Sequence, residues 1–263
     1  MTGREVFPDE ELRRRIMDLI RAAGQTLLEN GAEVFRVEQT MEIMARSFHL
    51  REFHVYVLTN GIFASAGTAE ISEVRNVPTR TTHLGRVAAV NALSREIAEG
   101  NMTLDEAASR RVLARRIPFP KDWVQLGSGM CGAFCVALIF GGTLRSALAA
   151  ALAGFLASGY LLLCDQHELS AGFCKISCAA LITLVCILSC NLLGTPASHA
   201  IIGALMILTP GIAFTMGIRD FVHSDYLSGT IRMIDALLIA ASIAIGTGLV
   251  LSLYTFFTGV VVA

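Results

Sequence analysis

Five uncharged runs dominate the second half of the chain: Trp123–Phe140, Ala147–Leu163, Ile176–Leu193, Ala200–Ile218 and Ala236–Thr258. Each is close to the ~20 apolar residues that a helix needs to cross a ~30 Å hydrocarbon core. Inside lipid the backbone must satisfy its own hydrogen bonds, so such runs can fold only as helices. Charge is segregated to match. Residues 1–122 hold 17 of the 21 basic and 17 of the 22 acidic residues, and the other 141 residues hold four and five. The expected fold class is an α-helical integral membrane protein with five transmembrane helices, preceded by a small α+β cytoplasmic domain. The expected boundaries are 1–117 for the soluble part and 118–263 for the membrane part.

Small residues recur on the second run at Ala147, Ala150, Gly154 and Ser158. That pattern suits close helix–helix packing more than lipid contact. The N-terminus is charged and carries no apolar leader. With the N-terminal domain inside, the outer loops carry only Arg145, while Lys175, Arg219 and Arg232 fall on the inner side. The positive-inside rule then gives a cytoplasmic N-terminus, a periplasmic C-terminus and a bacterial inner membrane location.

In the first 122 residues, Leu12, Ile16, Leu19, Ile20, Ala23 and Leu27 repeat at helical spacing, and Asn30–Gly31 closes that helix. A second helix is expected over about Ala32–Phe48. Two β-like runs, Phe53–Leu58 and Ile62–Ala66, flank an Asn-Gly turn, and a third strand is expected over Val74–Thr81. Helices over Leu84–Ala98 and Thr103–Arg116 follow, the latter with Thr103 and Glu106 as a capping box. Pro118 and Pro120 mark the link to the membrane. Arg110, Arg111, Arg115, Arg116 and Lys121 precede the first span and read as a topology signal that also touches anionic lipid headgroups.

The run IIGALMILTPGIAFTMGIRDFVHSD, Ile201–Asp225, places Pro210–Gly211 near the midpoint of an uncharged span. Proline cannot donate to the Met206 carbonyl, and glycine weakens the next turn. A helix restarting at Gly211 would present free N–H groups and a positive dipole end near mid-membrane. Thr209, Pro210, Gly211 and Arg219 are therefore the candidate substrate-binding residues, for a solute with a carboxylate. The competing reading is a proline kink that only aids packing. Asp220, Asp225, Arg232 and Asp235 are candidates for a gate or for proton coupling, with Asp235 first because it opens a long apolar run where ionisation is costly. The alternative is an interfacial salt-bridge network that fixes a hairpin. Residues Asp225, Ser228 and Gly229 read as a tight turn. Asn191 and His199 flank an outer loop, where His199 serves either proton exchange or only the interface. Glu33, Arg36 and Glu38 share the second helix, either as surface pairs or as a cytoplasmic vestibule.

The blocks GAEVFRVEQTMEIMARSF (Gly31–Phe48), LTNGIFAS (Leu58–Ser65) and VAAVNALSREI (Val87–Ile97), with LTPGIAFTMGIRDFVHSDYLSGTIRMIDALLIA (Leu208–Ala240), resemble the bacterial threonine/serine exporter family. Single-chain members of that family carry two membrane halves. This chain is similar to the split form, in the subunit that carries the cytoplasmic domain. The resemblance implies one half of an inverted-repeat transporter, completed by a second small integral membrane subunit. It also implies export of threonine and serine, with dicarboxylates such as succinate left open and the proton gradient as driving force.

Other classes find less support. No GxxxxGK[ST] is present for an ATP-driven pump. The first 122 residues contain no cysteine, the chain has no GxSxG, and His167-Glu168 fails as HExxH because position 171 is alanine. An enzyme is therefore not expected, and a metabolite sensor is a weaker alternative. The seven cysteines form no CxxC and read as small apolar residues. Neither metal nor cofactor is expected. The expected partners are membrane lipids, the second subunit and a small-molecule substrate, with no nucleic acid.

Overall fold

The computed structural model describes residues 8–50, 52–66, 72–77, 81–100, 102–167 and 169–259. Glu168 of the failed HExxH pattern and residues 78–80 of the expected third strand lie outside them. The chain forms two compact units. One comprises Met1–Phe119 with Met216–Ile231, and the other Pro120–Thr215 with Arg232–Ala263. The first unit is thus discontinuous in sequence, which the expected division at residue 117 does not include.

In the first unit, α1 (Pro8–Glu29) and α2 (Val34–Ser47) are joined through Gly31, whose φ of 86° is in the left-handed region. Apolar residues at helical spacing explain both helices. Ile16, Leu19, Ile20, Ala23 and Leu27 are buried on α1, and Val34, Val37, Met41 and Met44 on α2. Gly24 lets α2 approach α1, since a side chain there would strike the Met41 sulfur. The strands β1 (Phe53–Leu58), β2 (Gly61–Ala66) and β3 (Ser72–Asn76) form an antiparallel meander. Leu58 pairs with Gly61 across a turn of two residues, Thr59 and Asn60. The third strand ends at Asn76, where the apolar pattern had suggested Thr81.

Helices α3 (Leu84–Ala98) and α4 (Leu104–Arg115) complete this layer. Thr103 and Glu106 form the expected reciprocal capping box. These bonds hold the Glu106 carboxyl below its usual range. The basic run before the first span is partly neutralised locally: Arg110 meets Glu96 at 2.7 Å and Arg115 meets Glu29 at 3.3 Å. The N-terminus of α3 also grips the Pro-rich link. His83 Nδ1 accepts from the Arg86 N–H at 3.2 Å, so the ring proton sits on Nε2 and reaches the Pro118 carbonyl at 3.0 Å. Arg86 Nε donates to the Ile117 carbonyl at 2.9 Å.

In the second unit, α5 (Asp122–Ile139), α6 (Leu144–Gln166), α7 (Ala171–Leu193) and α10 (Tyr226–Thr258) are long and apolar enough to cross a membrane. The remaining expected span is not one helix. It divides into α8 (Ser198–Leu205) and α9 (Gly211–Val222). Helix α10 runs 33 residues and starts at Tyr226, ten residues before the expected span.

Small residues set these packings. Ala147, Ala150, Ala153, Gly154, Ala157 and Ser158 are buried on one face of α6, while Leu148, Leu152 and Phe155 are exposed on the other. At Gly154 a side chain would lie 2.6 Å from the Gly129 carbonyl oxygen of α5. Close backbone approach of this kind is how helices associate where lipid removes the hydrophobic drive. Short polar links add to it: Tyr160 to Ser177 at 2.7 Å and Thr183 to Thr247 at 3.3 Å. Cys178, Cys186 and Cys190 fill the α7 core as small apolar groups, whereas Cys131 and Cys135 are exposed.

Candidate functional site

The break begins where α8 tightens. The Ile207, Leu208 and Thr209 N–H groups bond three residues back, to Ala204, Leu205 and Met206, at 3.3, 2.9 and 3.3 Å. Such short-range bonds mark a helix ending. Pro210 supplies no donor, and the Gly211 N–H turns back to the Thr209 carbonyl at 2.8 Å. Helix α9 starts there, and Phe214 donates to the Pro210 carbonyl at 3.0 Å. The Ile212 and Ala213 N–H groups lie in the first turn, ahead of any intrahelical acceptor. They carry the positive end of the α9 dipole. The Thr209 hydroxyl donates to the Leu205 carbonyl at 3.3 Å, so its proton is engaged and its lone pairs are what it can offer a ligand.

At its other end α9 enters the first unit, together with the start of α10. The Arg219 NH1 donates to Glu33 Oε1 at 2.6 Å, and Arg36 Nε stands 3.7 Å from the other Glu33 oxygen. Phe35 lies between charges: its ring stacks on His223 with centroids 4.1 Å apart, and both the Arg219 and Arg36 guanidiniums sit over it, at 5.2 and 5.7 Å. Cation–π contacts of this length are favourable. Glu38 Oε1 accepts the Val57 N–H of β1 at 2.8 Å. Burial pushes the Glu38 carboxyl up, the Val57 bond opposes this, and the Asp225 and Glu42 charges push it further up. Glu33, Arg36 and Glu38 therefore share one unit with Arg219, Asp220 and Asp225, although far from them in sequence. Phe35 and His223 join this group. Sequence patterning gave Phe35 no role; its one signal is an aromatic residue between Val34 and Arg36 on a helix whose apolar face lies elsewhere.

The turn after α9 differs from its expected position. Ser224 adopts φ 68° and the Asp225 N–H returns to the Asp220 carbonyl at 2.9 Å, a left-handed helix stop. Gly229 N–H then bonds the Asp225 carbonyl at 2.9 Å, so Asp225 caps α10, and Ser228 and Gly229 lie within its first turn. Asp220 is fully buried. In the second unit, Arg232 is buried near the start of α10 and Asp235 is exposed three residues later. Asn191 donates to the Tyr254 hydroxyl at 3.0 Å, and His199 lies against Gly142 near the start of α8.

Comparison with known proteins gives the family. Residues 18–254 match the ThrE family model, described as "Putative threonine/serine exporter". The chain belongs to the threonine/serine exporter family. Within this family it is 24% identical over 239 residues to a "Probable threonine/serine exporter" of Mycobacterium tuberculosis. The match covers 89% of this chain and 45% of that protein, so the chain spans about half the length of the curated relative it matches. No solved structure matches. Four helices among the described residues are long and apolar enough to cross a membrane, which fits a membrane protein of this family.

Glu38 gives a pH prediction. Its folded carboxyl titrates above the usual value of 4.5, so its ionised form is disfavoured in the native state. That penalty is absent below the usual carboxylate range and grows as pH rises through the raised folded value. Glu38→Gln keeps an acceptor for Val57 and removes the charge. It is expected to leave stability unchanged in acid and raise it at neutral pH. Thermal melts of both proteins across this window check it; identical pH slopes would show that Glu38 is not the titrating group.

Proposed function

We propose that this chain forms one half of a secondary exporter that moves threonine and serine out of the cell, driven by the proton gradient. The observation that carries this reading is the helix stop at Thr209–Pro210 and restart at Gly211 within an otherwise uncharged segment. Helices α8 and α9 are roughly 12 and 18 Å long by rise per residue, so together they suffice for one broken fifth span. The N–H groups at the start of α9 receive the substrate carboxylate, and Thr209 offers its hydroxyl oxygen. Arg219 draws the same carboxylate at the cytoplasmic mouth. Asp220 and Asp225 belong to the gate at this mouth, with Glu38 beside it.

Asp235 carries the coupling proton in this proposal, with Arg232 tuning it. It is exposed on a face of α10 that also exposes Ile234, Leu237 and Leu238. An ionised carboxylate on lipid would be costly, so that face meets a water-filled cavity or a partner. A second membrane subunit with its own Pro-Gly helix supplies the other half, giving an inverted repeat. Asn191 and His199 line the periplasmic side, the N-terminus is cytoplasmic and the C-terminus periplasmic in the inner membrane.

Efflux of labelled threonine, serine and succinate from loaded vesicles, with the chain alone and with a co-encoded membrane protein, tests the whole reading. Exit of succinate but not threonine would change the substrate class. Asp235→Asn is expected to stop export or uncouple it from the proton gradient; an unchanged response to external pH would remove it as the carrier. A reporter fused after residue 263 is expected to read as periplasmic.

A further inference from the structure

We infer that Arg36 and Arg219 form a carboxylate cradle at the cytoplasmic mouth, and that Glu33 occupies it in the absence of solute. This rests on the proposed contact between Arg219 and the substrate. Two guanidiniums converge on one carboxylate, Arg219 on Oε1 at 2.6 Å and Arg36 on Oε2 at 3.7 Å. Only the first distance is a hydrogen bond. Both cations sit over the Phe35 ring, which is itself stacked on His223. The ring thus sets the position of the two cations without satisfying their N–H donors. A guanidinium has five such donors in a planar fork suited to bidentate carboxylate binding, and here two of them hold a carboxylate by one hydrogen bond.

Glu33 is also placed oddly for a structural residue. It stands at the N-cap of α2, where Ser, Thr, Asp or Asn would bond the first-turn N–H groups, yet its side chain makes no cap bond. The carboxylate is turned to the arginines instead, with only 16% of the side chain exposed, while Arg36 and Arg219 are 55% and 44% exposed. Solute can therefore reach the cations while Glu33 is held against them. A carboxylate solute takes the place of Glu33 on the two guanidiniums, and the displaced Glu33 side chain turns to solvent beside them. The ligand class is a small free carboxylate, either an amino acid or a dicarboxylate.

The experiment uses the purified full-length chain and labelled threonine, with succinate and threonine amide as competitors. Glu33→Gln removes the resident carboxylate. It is expected to bind threonine about fivefold more tightly, the size of one partly exposed ion pair. Succinate should compete better by a similar factor if dicarboxylates share the cradle. Threonine amide, which has no carboxylate, should show no gain. Glu33→Asp, one methylene shorter, should give a smaller gain with the charge retained, and it serves if the glutamine variant does not fold. Adding Arg36→Gln should cancel the gain. A merely structural ion pair predicts the opposite pattern: lower melting temperature, unchanged or weaker threonine binding, and equal effects on the amide. That pattern overturns the cradle. If Arg219→Gln exports at the normal rate, the substrate role of Arg219 falls. If Arg219→Gln is inactive while Glu33→Gln leaves affinity unchanged, only the cradle falls.

Discussion

Replacing both Pro210 and Gly211 with alanine is expected to abolish export while the protein still accumulates, folded, in the membrane. Alanine at position 210 restores an N–H for the Met206 carbonyl, four residues back. Alanine at 211 meets no atom within 4 Å, so it introduces no clash. In a helix interior the two exchanges favour continuous helix by about 3 and about 1 kcal/mol relative to proline and glycine. Helices α8 and α9 would merge, and the Ile212 and Ala213 N–H groups would be consumed by carbonyls of the preceding turn. The variant thus separates stability from activity, because it gains one while losing the other. Threonine efflux normalised to membrane-inserted protein is the measurement. Normal efflux at normal abundance would show that the break is a packing kink.

The second large effect is expected at Gly203. A side chain there would lie 2.8 Å from the backbone N and Cα of Ala137 on α5. Those are main-chain atoms of a packed helix, so no rotamer change relieves the contact, and overpacking of this kind typically costs about 1–3 kcal/mol or more. Gly203→Val should therefore lower the melting temperature and reduce folded protein. Gly248→Val is the control, since that position on α10 has no atom within 4 Å of an added side chain. Equal stability of the two variants would mean that α8 does not rest on α5 as described.

Short-range structure is legible in the sequence. Thr103 and Glu106 lie three residues apart and capped α4 as expected, because the geometry of a first helical turn is local. The hairpin followed from two alternating runs around Asn60–Gly61, and the restart of α9 followed from what proline lacks. The small-residue face of α6 was visible because packing in lipid selects for it. Less was legible where residues distant in sequence meet. The Arg219–Glu33 bond joins positions 186 apart, and no local spacing announces it. Glu33 and Arg36 looked complete as an i, i+3 pair, so nothing in the pattern called for a third charge. The stop at Ser224 is hidden in the sequence because left-handed helix ends are usually glycine, and the glycine nearby, Gly229, lies inside the first turn of α10.

The discontinuous first unit sets an order of events during synthesis. Residues up to Phe119 leave the ribosome first, yet the strand of chain from Met216 to Ile231 that belongs with them comes only after α5 to α8 have been made. Until then Glu33 has no Arg219 and Phe35 has no His223. The early domain must wait, with one charged helix end uncovered, while the membrane helices are threaded. Its completion therefore reports that Pro210 and the span around it have already been built, so a chain with a failed insertion would be left with an unfinished first unit on which quality control could act.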